Sequence, residues 1–577
     1  MAEERYCDRD RNFFLPLIIV VGILSVARLW FLRDIFWDDN CWILSAYSTG
    51  RLKQFLDMGF TQLRRVPLGI FQYYFYSLHK KIDYAYPLWN SASIFIQIVS
   101  SVYLYTLLNN LFKTKRFFAF FAAIAFIIFP IHTALPFYGN LPYRLGVMFT
   151  IISFYLTERA LARDARWVFL TIALILSGIS HYVLIEGAVA LEPARLFFIW
   201  YILSKKPLGH KALLNKTLMT WFPFFLLCLP ISFYKMAYKP FGVCSGIYAQ
   251  DVRFFLDGRK ILFLLAMLMS YHWISYLKNG IIFRYSTSWS MSLGLVAFFL
   301  CLYLLNRADI FKPVRLSLKA AWISTRDIFI LAAVLLIPPI LLYLYTDRAP
   351  GIGFQNRHGI ILQFGDAVLI GGLIYFLYCI FYAPSIRSRW MNLFIAFCLA
   401  AGVLFNNINI DLYFKAWDSE KKFWNAFTMR FPSLPPNATF LIDAIDDTPL
   451  KNSGVRSFHS LEFSLNVLYT DSKDPVRFLK YKAIALGEWE LLRRSGDEKP
   501  STCQRITNLG EEMLDPKEFI VVRYRDNELF VNGEILTHYP DISYKDLLHK
   551  DFPILPPPGE YPLRYKLKEL VFQGVER

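Results

Sequence analysis

The chain has 577 residues, of which 55% are hydrophobic and 18% aromatic, with a formal net charge of +17 and a mean hydropathy of +0.36. That balance lies outside the range of soluble globular domains and points to a polytopic membrane protein. Residues 1–407 hold 39 Lys+Arg against 19 Asp+Glu and residues 408–577 hold 23 against 26, so the excess is +20 in the apolar part and −3 beyond it. Positive charge interleaved with apolar runs implies lipid headgroups and membrane orientation as partners, and excludes nucleic acid.

The first predicted element is a helix over Phe13–Leu32. The charged start, MAEERYCDRDRNFF, has no small-residue cleavage site after it, so the helix is expected to be retained. Residues 33–85 form a long outer loop that opens with RDIFWDDNCWILSAYSTGRL. Within it Ile43, Leu44, Tyr47, Leu52, Phe55 and Leu56 recur at the spacing of a helix lying in the interface.

Further spans are predicted at about 87–112, 117–135 and 143–160, and two over 167–203 with an outer turn near His181. Others follow at 217–235, 289–306, 327–345 and 363–383, and a last one ends near 407. Residues 259–277 are apolar but ambiguous. Inner loops are marked by Lys113, Lys115 and Arg116, by Arg159, Arg163 and Arg166, and by Lys205, Lys206, His210, Lys211 and Lys216. They continue with Arg307, Lys312, Arg315, Lys319 and Arg326, and with Arg387 and Arg389. The expected architecture is therefore about 11–13 transmembrane helices. Twelve full crossings would return the tail to the inside. Residues 259–277 are accordingly expected to be a re-entrant or interfacial hairpin, unless one further span is hidden, and the tail is placed outside.

Residues 408–577 read as a soluble α+β domain. PPNATFLIDAI and EFIVVRYRDNELFVNGEIL have strand composition, the second as a hairpin with a polar turn, and residues 457–469 look helical. The eight cysteines contain no CxxC pair, which removes the commonest zinc spacing. Cys41, Cys244 and Cys503 fall where an outside location would permit a disulfide. Asn437-Ala-Thr matches a glycosylation sequon, which would carry no consequence in a bacterium.

The residues that could carry chemistry gather in the outer loops. Asp38, Asp39 or Asn40 could cap the interfacial helix, but a cap explains one acid and not two. The sharper alternative is a general base at the membrane edge. Arg64 and Arg65 could anchor the interface by snorkelling or contact a phosphate with a planar guanidinium. His132 and His181 could orient a phosphate or sugar hydroxyl, or be ordinary interfacial histidines. Tyr138 and Tyr143 could stack on a sugar or belong to an aromatic belt. Glu192 and Arg195, at i,i+3, read as a structural pair inside the bundle, whereas Glu186 lies nearer the outer edge as a site candidate.

In this order (one span, WDDNCWILSAYSTGRL, RRVPL, then FPIHTALPFYGNLPYR at spans 3–4 and a Glu-bearing turn at spans 5–6) the chain resembles the GT-C superfamily of polytopic glycosyltransferases. It is most similar to bacterial relatives of the transmembrane O-mannosyltransferases that carry tetratricopeptide tails. GFQNRHGIILQFG resembles their late outer loop. The likeness covers residues 13 to about 205 and thins in the late spans, and the tail does not match. Two departures stand out: Ala134 replaces a frequent Glu, and Ser180-His181-Tyr182 replaces Ser-Lys-Glu.

The resemblance implies a GT-C-like membrane domain over residues 1–407, an extracytoplasmic domain over 408–577, and a place in a bacterial cytoplasmic (inner) membrane. It implies transfer of a sugar, with inversion, from a polyprenyl-phosphate donor to a hydroxyl of a glycan, lipid or protein acceptor. Asp38 or Asp39 would act as base, with Asp38 the first choice. Arg65, Arg144 and Arg357 would stabilise the departing phosphate, with Arg64 and His358 as alternates. No cofactor is expected, and a divalent metal is not favoured because the second outer-loop carboxylate is missing. The rival reading is a transporter or flippase of lipid-linked glycans, which would place acids and bases in mid-membrane cavities.

Overall fold

The computed structural model describes residues 2–32, 52–56, 65–77, 85–128, 140–162, 166–237, 285–307, 316–346, 359–381 and 386–431 of the helical part. Beyond these it describes 438–444, 482–486, 503–507, 510–514, 519–525 and 528–531, with a few single positions such as Leu461 and Leu465. Helix α1 (Ala2–Val26) ends in a 3-10 turn (Ala27–Phe31), and α2 (Val66–Ser77) follows a four-residue helical turn, Leu52–Phe55. Then come α3 (Ala85–Leu111), α4 (Arg116–Ile128), α5 (Leu141–Ala162), α6 (Arg166–Gly178), α7 (Glu192–Ser204) and α8 (His210–Ala237). The bundle is completed by α9 (Ser288–Arg307), α10 (Leu318–Thr346), α11 (Gln363–Phe381) and α12 (Ile386–Arg430).

Ten of these segments are long and apolar enough to cross a bilayer, and α4 is a shorter apolar helix of 13 residues. The protein is a multi-pass membrane protein. Exposed tryptophans mark two levels. Trp167, Trp200, Trp322 and Trp390 lie toward one end of the bundle, and Trp30 and Trp289 toward the other, as expected for belts at the two interfaces. Along α9, the 17 steps from Trp289 to Asn306, which hydrogen-bonds Asn392 near Trp390, rise about 26 Å, close to the thickness of a hydrocarbon core.

Neighbouring contacts give each helix its direction. Ser101 and Gln97 of α3 donate to Ala123 O and Phe126 O of α4, an antiparallel pairing. Phe14 of α1 meets Tyr105 and Phe117, while Gly22 meets Ile98 and Ile127. Ser153 of α5 donates to Ala173 O of α6, and Gly371 of α11 packs on Ala122 of α4. The helices alternate throughout. One end of the bundle, here the lysine end, gathers Lys115, Lys205 and Lys206; the opposite end carries the C-terminal sheet and is termed the sheet end.

Helix α8 runs away from the lysine end, since Leu213 packs beside Leu203 and Leu227 O accepts from Tyr182. Helix α9 starts at the sheet end, where Thr287 bonds Asp411. The two helices that flank residues 238–284 therefore end and begin at the same end of the bundle. With α4 counted, eleven traverses carry the chain from the lysine end to the sheet end, so the parity closes on the described helices. The ambiguous run 259–277 lies outside the described residues.

Buried polar side chains satisfy helix ends that stop inside the bundle. Helix α4 leaves its last carbonyls without intrahelical partners. Phe126 O accepts from Gln97 Nε2 at 2.9 Å and Gln363 Nε2 at 2.7 Å, and Ile127 O accepts from Asn406 Nδ2 at 3.1 Å. At the lysine end, Lys205 Nζ donates to Leu111 O and Lys206 Nζ to Leu161 O, each at 2.7 Å. Cations at helix C-termini also complement the helix dipole.

The predicted domain boundary at 407 falls inside a continuous helix. α12 has 45 residues and is about 67 Å long. Its apolar half lies in the bundle, and its last turns present Phe423, Trp424, Phe427 and Phe431 to the C-terminal sheet. The apolar run stops near 407 while the helix continues, because a second apolar stripe resumes on one face beyond Lys415.

That sheet has the order β2 (Lys482–Ala485), β1 (Thr439–Ala444), β5 (Phe519–Arg525), β6 (Glu528–Val531), with β3 (Cys503–Thr507) and β4 (Gly510–Leu514) as a separate hairpin. β1 is parallel to β2 and β5, and β6 is antiparallel to β5. Phe440, Ile442, Ile520 and Val522 face α12, and the same apolar cluster includes Leu68 and Phe75 of α2 and Trp89 of α3. Leu441, Val521 and Ile484 on the opposite face are buried as well. A sheet buried on both sides explains why its central strands read as continuous apolar runs.

Candidate functional site

The expected site residues divide into two groups. Asp38, Asp39, Arg64, His132, Tyr138, Arg357 and His358 lie outside the described residues, as do Ile43, Leu44, Tyr47, Cys41 and Cys244. Arg65, Tyr143, Arg144 and His181 are described, and Glu186 is described in its backbone.

Arg65 is half-buried just before α2, where its carbonyl accepts from Gly69 N–H at 2.9 Å. Arg144 sits in the first turn of α5 and is only 3% exposed, next to the buried Asn140. Tyr143 is partly buried and packs on the main apolar core. All three are on segments that enter the bundle from the sheet end. The helix ends at Phe31, Ile128 and Thr346, and the helix starts at Val66, Leu141 and Gln363, belong to that same end. The stretches bearing Asp38, Asp39, His132, Tyr138, Arg357 and His358 are connected to those ends.

His181 lies one turn before the reversal that the sequence placed near it. Helix α6 continues into one π-helical turn, Ile179–Leu184, whose Ile185 N–H reaches Ser180 O at 2.7 Å. The chain reverses at Ile185, which is extended, and returns through a 3-10 turn, Glu186–Leu191, into α7. His181 is fully buried, and its Nε2 lies 2.9 Å from Glu192 Oε1 and 3.0 Å from Ser177 Oγ. The predicted Glu192–Arg195 pair is present and bidentate, at 2.6 Å and 3.0 Å.

Around it Ser177 Oγ donates to Glu192 Oε1 at 2.7 Å and Arg195 Nη1 to Thr157 Oγ1 at 2.9 Å. The guanidinium is sandwiched by the rings of Phe154 and Phe224, each 4.2 Å away. Trp221 Nε1 donates to the Glu192 carbonyl. A serine relay needs the hydroxyl on one imidazole nitrogen and the carboxylate on the other. Here both meet Nε2, and Nδ1 has no hydrogen-bond partner. The cluster is a closed electrostatic clamp on an interrupted helical hairpin, and not a nucleophilic device.

Two polar features had no counterpart in the sequence reading. Arg28 Nε bonds Asp411 Oδ1 at 2.8 Å, Thr287 Oγ1 bonds Asp411 Oδ2 at 2.8 Å, and Asn407 Nδ2 bonds Leu24 O at 2.8 Å. These contacts tie the end of α1 and its 3-10 turn, the start of α9, and α12 together at the sheet end. The second feature is Asp366, one turn into α11. It is 1% exposed, and neither carboxyl oxygen has a hydrogen-bond partner. An acid within a span is costly and usually functional. The signal for Arg28 and Asp366 was available as charges inside otherwise apolar runs. Among the described residues, no three His, Cys, Asp or Glu side chains gather to hold a metal ion.

No protein-family model matches this chain, and no curated protein matches it either.

Proposed function

We propose that the protein is an inverting glycosyltransferase of the GT-C type that uses a polyprenyl-phosphate-linked sugar at the sheet end of the bundle. That end would face the outside of a bacterial cytoplasmic membrane, because the opposite end collects the lysines. The observation that carries the proposal is the shared end. The segment with the acidic pair, the segments with His132 and Arg357, and the buried Arg144 all attach to helix ends on one side of the bundle.

In the proposed reaction Asp38, or Asp39, accepts the proton of the acceptor hydroxyl. The hydroxyl oxygen forms a bond to the anomeric carbon while the bond from that carbon to the phosphate oxygen breaks. The electron pair leaves with polyprenyl phosphate, and Arg65, Arg144 and Arg357 stabilise the charge as it develops. Glycan, lipid and protein hydroxyls remain the acceptor classes. The Arg28–Asp411–Thr287 cluster would hold the start of the acidic loop in place.

The test is sugar transfer from a polyprenyl-phosphate donor in membranes carrying the wild-type chain, Asp38→Asn or Asp39→Asn. At least one variant should lose transfer by 10²-fold or more, the scale of a removed base, while expressing at wild-type levels. Full activity in both, with normal folding, rules the mechanism out.

One observation favours a second reading. The hairpin through Ile179–Leu191 is interrupted inside the bundle and carries buried charge, a pattern also used by transporters. A flippase of lipid-linked glycans would move the donor across the bilayer without consuming it.

A further inference from the structure

The lysine end holds a cluster of basic charge at the depth of the interface. The α3–α4 turn brings Lys113 and Lys115 beside Lys205, which follows α7. Phe112 lies between two of them, with its ring centre 5.4 Å from Lys115 Nζ and 5.7 Å from Lys205 Nζ. Lys205 Nζ also sits 4.1 Å over Tyr201. Lys115 Nζ donates to Ser324 O of α10, and Lys205 Nζ to Leu111 O. Each ammonium has three donors, so both keep hydrogen-bonding capacity beyond these contacts.

The acid that faces them is Asp327, whose carboxylate is already 3.4 Å from Arg326 Nε. Burial lowers the pKa of Lys205, and Lys115 and Lys113 push it further down against the pull of Asp327. Burial also lowers Lys115. Asp327 acts on both Lys115 and Lys205, and shared between them and Arg326 it leaves net positive charge that an anion would neutralise. The exposed Trp200 of α7 and Trp322 of α10 lie on the flanking helices at the same end. They place the cluster at headgroup depth, with apolar helix surface running away from it. Basic sites between helices at a membrane face suit phosphate headgroups.

We propose that Lys113, Lys115 and Lys205 form a binding site for the phosphate of an anionic phospholipid, seated between the α3–α4 turn, α7 and α10. The site lies at the opposite end of the bundle from the proposed transfer chemistry and does not depend on it. The lipid phosphate accepts from the ammonium groups, and its acyl chains lie along α7 and α10 past Trp200 and Trp322.

The experiment uses full-length protein in detergent, stripped of native lipid and titrated with phosphatidylglycerol, phosphatidylcholine or inorganic phosphate. Bound lipid is counted by native mass spectrometry. Phosphatidylglycerol should bind at least tenfold more tightly than phosphatidylcholine. The triple variant Lys113→Gln, Lys115→Gln, Lys205→Gln should lose that preference, and the matching triple Lys→Arg variant should keep it. Because Lys115 and Lys205 also tether helices, exposed Lys113→Gln alone should weaken phosphatidylglycerol severalfold with an unchanged unfolding temperature. Equal binding of the two lipids, an unaffected preference in Lys113→Gln and the triple Gln variant, or displacement of phosphatidylglycerol by equimolar inorganic phosphate would each overturn the proposal.

Discussion

The Glu192–Arg195 clamp gives the sharpest stability prediction. Arg195→Leu removes a guanidinium that makes two bonds to Glu192, at 2.6 Å and 3.0 Å, and one to Thr157 at 2.9 Å. Glu192 is then left 2% exposed with only Ser177 and His181 as side-chain partners. Removing one partner of a buried pair leaves an uncompensated charge and costs about 3–5 kcal/mol. The reverse change, Glu192→Leu, strands Arg195 between Phe154 and Phe224 and should cost a similar amount. The double variant Glu192→Leu, Arg195→Leu strands neither charge. Its cost should be well below the sum of the singles, with a coupling of about 2 kcal/mol or more. Reversible unfolding in mixed micelles, followed by tryptophan fluorescence, reads all four proteins of the cycle. Additive single costs, or a single substitution costing under about 1 kcal/mol, would refute the view that this clamp holds the interrupted hairpin in place.

Three further outcomes follow from individual contacts. Gly371 lets α11 approach α4 so closely that a Cβ there would lie 2.5 Å from Ala122 N. Gly371→Leu should force the helices apart, at about 1–3 kcal/mol or more, and an unchanged unfolding temperature would show that the approach is not needed. Asp366→Leu should raise stability by about 1–3 kcal/mol, because it removes a buried carboxyl with no hydrogen-bond partner; a loss instead would mean that the acid is engaged by a ligand. In the sheet, burial raises the pKa of Tyr524, and the charge of Asp418 adds to it. The folded state therefore holds that proton more tightly than the unfolded chain. Its stabilisation is complete below about pH 10 and is lost as pH rises through the folded value. Fluorescence of Trp424 across pH 9–12 should report a loss of packing that Tyr524→Phe diminishes.

Much of the fold was legible because apolar length and basic punctuation act locally. The spans near 87–112, 143–160 and 363–383 correspond to α3, α5 and α11. The hairpin read from EFIVVRYRDNELFVNGEIL corresponds to β5 and β6, and the i,i+3 spacing of Glu192 and Arg195 was enough to pair them. Other features depend on distant partners. The reversal at Ile185 falls four residues after His181, near where the sequence put it, but the π turn leaves no simple periodicity and one of the histidine's partners, Glu192, comes from the returning helix. The boundary at 407 followed hydropathy, whereas α12 continues because its last turns bury Phe423 and Phe427 against strands some 15 to 100 residues later in the chain. The Arg28–Asp411 pair spans 383 positions, beyond the reach of any spacing rule. Of the site, the basic and acidic motifs could be read in sequence, while the burial of Arg144 and the isolation of Asp366 required the packed bundle.

The proposed chemistry is tested most directly in sealed vesicles holding the purified protein, a polyprenyl-phosphate sugar and a soluble hydroxyl acceptor. Glycosyl transfer predicts that free polyprenyl phosphate and glycosylated acceptor accumulate in equal amounts, with the anomeric configuration inverted. Sugar that reaches the opposite leaflet still attached to its carrier, with no glycosylated acceptor formed, would contradict it.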